Sequence, residues 1–248
     1  MFINYQEYQA MYEVEDSLWW YRILHDRVVE ELKALPHFTQ LKILDAGCGT
    51  GGLMSRLLKE GVQDIQGFDF NEHAVAFSGD RGLNVQQGDI TRFSLGQFDV
   101  VISNDVLYQM DDEGLEQAFY RLYAALKPGG ILITNNQAFP VFRGIHDLAV
   151  GSKRRFVLKD FEKLLEKYPD LKLEKATYWS LFLSPFILIA RTIQRIQLKL
   201  NLVKEVKSDV SLPSPWLNQF FYTLCTWERK ILKASPFGSS LFLRIRKA

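Results

Sequence analysis

Residues 43–52 read Ile43-Leu44-Asp45-Ala46-Gly47-Cys48-Gly49-Thr50-Gly51-Gly52, an apolar strand that runs into a glycine-rich turn and opens a helix. Glycine permits positive φ and lets a ligand reach the backbone without meeting a Cβ. The loop lies where doubly wound sheets bind nucleotides, beyond the carboxyl end of a strand. Its spacing admits two ligands. Gly47, Gly49 and Gly52 fit the G-x-G-x-x-G dinucleotide fingerprint, whereas Asp45, Gly47, Gly49 and Gly51 fit D-x-G-x-G-x-G. Either a pyrophosphate or an amino-acid moiety could face it.

Acidic residues nearby weigh between these. Asp45 would repel a pyrophosphate but could pair with an ammonium. Asp69, ending the next apolar run, is placed to accept both hydroxyls of a ribose, which any nucleoside cofactor would want. Gly88-Asp89-Ile90 offers a carboxylate for an adenine amino group and an aliphatic side chain to pack on the ring. Phe70 and Asn104, each at a strand end, join Asp45, Gly47, Cys48, Gly49, Gly51, Asp69, Asp89 and Ile90 as candidate cofactor contacts. Cys48 reads mainly as a small side chain packed beneath the turn, since no partnered base is evident for a nucleophilic role.

These residues need a scaffold, and the apolar patterning supplies one. Short strands are expected at Lys42–Asp45, Ile65–Asp69, Val85–Gln87, Phe98–Ser103, Gly130–Asn135, Leu171–Trp179 and Ser240–Arg246, most separated by helical stretches. A helix over Leu115–Leu126 is expected to close at a Lys127-Pro128-Gly129-Gly130 turn, followed after the fifth strand by a polar loop over Phe139–Arg155 and a helix over Leu158–Lys167. The expectation is an α/β fold, a doubly wound, seven-stranded, mostly parallel sheet forming one domain over 1–248. Within it fall a helical cap (1–38), a cofactor-binding core (39–180), a two-helix insertion (181–238) and the last strand (239–248).

From Ile43 to Thr134 the chain resembles class I S-adenosylmethionine-dependent methyltransferases. The resemblance rests on the glycine loop, Asp69, Gly88-Asp89, Phe98-Asp99-Val100-Val101-Ile102-Ser103 and Lys127-Pro128-Gly129-Gly130, in order and at ordinary spacing. Trp19-Trp20-Tyr21 and Arg154-Arg155-Phe156 further resemble a bacterial group that begins with a Trp-Trp-Tyr segment, in which the second segment often reads Arg-Arg-Tyr. The resemblance implies S-adenosylmethionine as cofactor and methylation, most naturally of oxygen, on a small-molecule or lipid-linked acceptor. An NAD(P)-dependent oxidoreductase, or a cofactor-binding adaptor without turnover, is the alternative. Many relatives carry histidine at the position of Gln109, so a mechanism built on that histidine is not expected here.

Methyl transfer from a sulfonium needs alignment and exclusion of water, and a base only where the nucleophile must lose a proton. His146 is the first candidate base, with Tyr21 and His25 on the N-terminal helix behind it. Trp19, Trp20 and Tyr21 suit a lid or simple packing equally. Arg154 and Arg155 read as a solvated helix entrance, with binding of an acceptor phosphate or carboxylate the rival. His25, His37, His73 and His146 lack ligand spacing, so no metal site is expected.

Composition sets the outer limits. With 47% hydrophobic and 24% charged residues in 248, the chain is neither disordered nor low in complexity, and two distant cysteines exclude a disulfide framework. The start has no basic stretch leading into an apolar run, so a cytoplasmic location is expected. A net charge of +1 argues against a nucleic-acid partner, but the charge is uneven. Residues 1–175 hold 19 Lys and Arg against 26 Asp and Glu; residues 176–248 hold 11 against 3. The basic, amphipathic 184–236 stretch could therefore touch the inner face of a membrane peripherally, or pack on the domain or in a homodimer.

Overall fold

The computed structural model describes residues 5–94, 96–203 and 206–248, so residues 1–4 of the expected cap and 204–205 of the expected insertion lie outside the described residues. One sheet holds β1 (Lys42–Ala46), β2 (Asp64–Asp69), β3 (Val85–Gln87), β4 (Phe98–Asn104), β5 (Leu126–Gln137), β6 (Leu171–Trp179) and β7 (Ser240–Lys247). Its order is β3-β2-β1-β4-β5-β7-β6, parallel except that β7 runs antiparallel to both neighbours. The seven-stranded, mostly parallel sheet is thus as expected. Ile43, Leu44, Val100, Val101 and Ile102 are all buried, because both faces of the central strands are covered. Strand order reverses at β1 and β4, and the crevice beyond their carboxyl ends is the natural ligand site.

Helices α1 (Tyr5–Val14), α2 (Trp19–Lys33), α3 (Gly52–Lys59), α4 (Glu72–Asp80), α5 (Asp112–Ala124), α6 (Ile145–Ala149), α7 (Leu158–Leu165), α8 (Ser184–Lys199) and α9 (Pro215–Ile231) complete the described chain. One apolar core joins α5 and α7 to a sheet face through Phe119, Leu122 and Phe161; the other joins α2 and α3 through Ile23, Val28, Leu32 and Leu57. The cap is two helices, with the turn between Val14 and Trp19 carrying Glu15 toward the glycine loop. The α8–α9 pair falls between β6 and β7. Asn218 of α9 accepts from the Trp19 amide (2.9 Å) and donates to the Ser17 carbonyl (2.9 Å), fixing α9 on the start of α2.

Three expectations need correction. The helix before β5 ends at Ala124, and Lys127-Pro128-Gly129-Gly130 is a bulge inside β5, where pairing jumps from Phe98–Leu126 to Val100–Ile131. The stretch expected as a polar loop holds a 3-10 turn at Pro140–Phe142 and then α6, capped by the Asp147 carboxylate accepting from the Gly144 amide at 2.9 Å. Arg155 is not a solvated entrance. Its side chain is 4% exposed, and the guanidinium grips the Asp147 carboxylate, on a side chain 1% exposed, through bonds of 2.6 and 3.0 Å, while donating to the Ala138 carbonyl. Arg154 remains partly exposed, bonded to Met110 and Asp112.

Candidate active site

The glycine loop, the ends of β2 and β4, the cap and the insertion enclose a cavity of about 850 Å³. Asp45, Gly47, Cys48, Gly49, Asp69, Phe70, Asp89, Ile90, Asn104, Tyr21, His25 and His146 all line it. Gly51 does not. It starts α3 at φ 81°, and an added Cβ would lie 2.3 Å from Leu83, so it shapes the turn from below. Gly47, at φ 83°, leaves no room for a side chain, since a Cβ there would stand 2.3 Å from Val106.

The loop is built around carboxylates. Asp69 accepts from the Gly49 amide through Oδ2 and from the Asn71 amide through Oδ1, both at 2.9 Å, and Tyr8 of α1 bonds to it. Glu15 accepts from the Gly52 amide at 3.0 Å and from the Thr50 hydroxyl, placing negative charge at the N-terminus of α3. Glu15, Asp45 and Asp69 are 4%, 3% and 8% exposed. Burial raises all three, to about 7 for Glu15 and about 8 for Asp45, and Asp45 is lifted further by its two acidic neighbours. Arg81, 3.5 Å from Glu15, is the one cation paired with this trio among the described residues. No group of three or more His, Cys, Asp or Glu among the described residues could hold a metal ion. Three buried carboxyls with one paired cation favour a ligand that brings positive charge.

Other atoms also await a partner. Asn104 donates nothing from its buried Nδ2, while its Oδ1 accepts from the Asn135 amide at 3.0 Å. A ligand acceptor at that point would satisfy it. Phe70 exposes about half its surface at the cavity, offering a ring face. Asp89 uses Oδ1 to hold the Thr91 amide and hydroxyl, at 2.9 and 2.8 Å. Ile90 beside it is buried.

Beyond this cradle the cavity continues between α2, α6 and α8. Tyr21 and Trp20 sit edge to face (5.1 Å), and Trp20 stacks on Trp179 (5.7 Å), so the aromatic segment packs and lines the cavity at once. Burial drives the Tyr21 phenol well above its ordinary range, leaving it a hydrogen-bond donor. His25 is pushed down to about 4 by burial and stays neutral, too weak a base to take an acceptor's proton at neutral pH. His146 accepts the Asp209 amide on Nδ1 at 3.1 Å, so its neutral ring carries the proton on Nε2. In that tautomer it presents a donor, and Asp147 faces Arg155 instead. Cys48 is buried with its thiol raised well above the ordinary value, which suits packing.

Several lining residues escaped the sequence reading. Tyr8, Met11 and Glu15 come from a segment about 30–40 positions before the loop, and nothing local marks them. Asp105 follows Asn104 directly and adopts φ 56°, rare for a non-glycine residue and a frequent sign of function. Burial lifts its carboxyl to about 7, against the opposing pull of a 2.6 Å bond from Asn135. An acidic residue just past a strand's carboxyl end was the available signal. Arg191 and Asp209, paired across the cavity wall, come from the insertion.

Comparison with known proteins agrees with this architecture. Residues 43–130 match the family described as Methyltransferase domain. Malonyl-[acyl-carrier protein] O-methyltransferase of Enterobacter lignolyticus is 33% identical over 114 residues, 44% of each chain. Phosphoethanolamine N-methyltransferase 2 of Caenorhabditis elegans is 31% identical over 120 residues, 42% of this chain and 27% of that one. The chain thus spans less than half the length of these curated relatives. Magnesium protoporphyrin IX methyltransferase of Synechocystis, solved with S-adenosylmethionine bound, superposes with a TM-score of 0.56 at 16% identity, over 91% of this chain and 78% of that one. Residues 43–130 thus match the model of the methyltransferase-domain family, and the chain has the fold of solved S-adenosylmethionine-dependent methyltransferases.

Proposed function

We propose that this protein is an S-adenosylmethionine-dependent methyltransferase that acts on an oxygen of a small-molecule or lipid-linked acceptor. The observation that carries the reading is the trio Glu15, Asp45 and Asp69, buried side by side with one paired cation. A pyrophosphate in that place would lie against carboxyls whose ionisation burial and mutual repulsion already oppose, which disfavours a nicotinamide dinucleotide, whereas an ammonium would draw the carboxylate form. When bound, the cofactor supplies a methyl group on a positively charged sulfur.

This chain's residues then hold, orient and exclude water. Asp45 pairs with the ammonium, Asp69 accepts the ribose hydroxyls, and Asn104 Nδ2 donates to the carboxylate. Asp89, Ile90 and Phe70 surround the adenine. At the acceptor end Asp105, with its carboxyl near 7, takes the hydroxyl proton, while His146 Nε2 and the Tyr21 hydroxyl donate hydrogen bonds that align the acceptor oxygen. The oxygen preference leans on the malonyl-[acyl-carrier protein] O-methyltransferase relative and on the presence of a base. Titration calorimetry with S-adenosylhomocysteine and with NADH tests the cofactor: binding of the first and not the second is expected, and the reverse would replace the reading with an oxidoreductase. Cleavage of the labelled product with hot hydriodic acid, which releases an O-methyl group as iodomethane and spares an N-methyl group under milder conditions, separates O- from N-methylation.

A further inference from the structure

The insertion exposes an apolar ridge that neither the cavity nor the core uses. Of the 19 large hydrophobic residues exposed among the described residues, 13 lie between Phe182 and Ile231. On α8, Phe186, Ile189, Ile193 and Ile196 fall within an arc of about 80° at 3.6 residues per turn; on α9, Trp216, Phe220, Trp227 and Ile231 fall within about 60°. All eight are 50–71% exposed. Two such apolar helix faces on a folded chain mark something that covers them.

Charge identifies the cover. Lys199, Lys230 and Lys233 are exposed around the ridge; residues 176–248 carry 11 Lys and Arg against 3 Asp and Glu, with Arg191, Arg229, Arg244 and Arg246 paired to acids. Of those three acids, Asp209 is paired with Arg191, and Glu228 is buried and bonded to the Phe182 amide. A second copy would bring two such basic surfaces together. An anionic bilayer complements them, and tryptophan suits its interfacial zone. No described helix is long and apolar enough to cross a membrane, so the helices would lie along it.

The inner side of α8 faces the cavity: Ile187 and Arg191 line it, as do Asp209, Val210 and Ser211 of the segment that follows. We infer that the α8–α9 ridge seats this protein on an anionic lipid surface, and that the cavity takes from that surface an acceptor held on a lipid. Bilayer and acceptor end then stand on opposite sides of one helix, about 10 Å apart. The acceptor clause rests on the methyltransferase reading; the docking clause does not.

The test is flotation of the full chain with phosphatidylcholine vesicles containing about 30 mol% phosphatidylglycerol, and with phosphatidylcholine alone. Co-flotation with the anionic vesicles only, reversed at about 0.5 M salt, is expected. Ile193→Ser with Trp227→Ser, and separately Lys199→Glu with Lys230→Glu, should each lower the partition coefficient at least about tenfold, with S-adenosylhomocysteine binding unchanged as the measure of folding. No flotation, equal flotation with neutral vesicles, or variants that float like the wild type would overturn the docking. So would a dimer that these variants dissociate while vesicle partition stays unchanged, which would assign the ridge to a second copy. With labelled S-adenosylmethionine and vesicles of the source cells' own lipids, label should enter the organic-extractable fraction; label confined to water-soluble product overturns the acceptor clause. Flotation without S-adenosylhomocysteine binding would instead refute the methyltransferase reading and leave the docking standing.

Discussion

Replacing Asp45 with asparagine should uncouple cofactor binding from pH. In the free protein, burial and the charges of Glu15 and Asp69 hold the Asp45 carboxyl at about 8, so near pH 7 it is mostly protonated. Pairing with an ammonium requires the carboxylate, and the proton must leave on binding. From this residue alone, affinity for S-adenosylhomocysteine should rise roughly 50-fold between pH 6 and 8, about 2.3 kcal/mol. Calorimetry at pH 7 in buffers of different ionisation enthalpy should find close to one proton released, with Glu15, near 7, adding a fraction. Asp45→Asn should remove most of the release, flatten the profile and weaken binding at pH 8 at least tenfold or so. The ligand-free fold has the matching signature. Because the folded value lies above the ordinary one near 4, the native state keeps a proton that the unfolded chain has lost, and stability falls as pH rises from about 4 to about 8. Asp45→Asn should lessen that fall in the thermal midpoint. Wild-type affinity that stays flat from pH 6 to 8, or proton uptake on binding, would refute the reasoning.

Asp69→Ala should weaken S-adenosylhomocysteine by roughly 2–3 kcal/mol, the scale of losing charge-assisted bonds to two hydroxyls, and an unchanged dissociation constant in a folded variant would move the ribose elsewhere. An analogue without the exocyclic adenine amine should bind the wild type poorly yet be hardly distinguished by Asp89→Ala; equal discrimination by both proteins would clear Asp89 of that role. Asp105→Asn should cut turnover by roughly 10²-fold or more with cofactor affinity intact, and His146→Gln, which keeps a donor, should cost less. The opposite ranking would return the base to His146. Arg155→Met should destabilise the fold by about 3–5 kcal/mol, because Asp147 would keep a buried charge without its partner, and denaturant unfolding with little change in midpoint would contradict that.

What could be read from the sequence follows from how local each signal is. The strands around the glycine loop were legible because central parallel strands are unbroken apolar runs, as in Val100-Val101-Ile102, and the loop because its backbone demands a residue type at fixed spacing. Insertion helices showed through their 3.6-residue period. Glu15 and Tyr8 were hidden because their roles arise only when α1 and the turn after it fold against a loop far along the chain. Arg155 looked like surface because a basic run usually is; only the arrival of Asp147 from α6 makes burial tolerable. The bulge in β5 was read as a turn because Lys-Pro-Gly-Gly supports both, and pairing with β4 decides between them.

The cap is part of the glycine-loop cradle, not a cover laid over it. Glu15 accepts from the first turn of α3 and from Thr50, Tyr8 reaches Asp69, and Arg81 ties Glu15 to Asp16 while its guanidinium stands 4.6 Å above the Tyr12 ring. Without these residues the loop would lose one of its three carboxylates and an anchor of a second. The other end of the cap meets the insertion, where Asn218 holds both strands of the turn into α2, Tyr222 bonds Asp26 at 2.8 Å and Arg229 pairs with Glu30 at 3.1 Å. The cap therefore joins the glycine loop to the element that bears the exposed ridge. Tyr21 and His25, on α2 between them, line the same cavity. On the proposed function, acceptor choice then falls to α2, α8 and the 209–213 segment that line the far end of the cavity, while Asp45, Asp69 and Glu15 set the charge at the glycine loop.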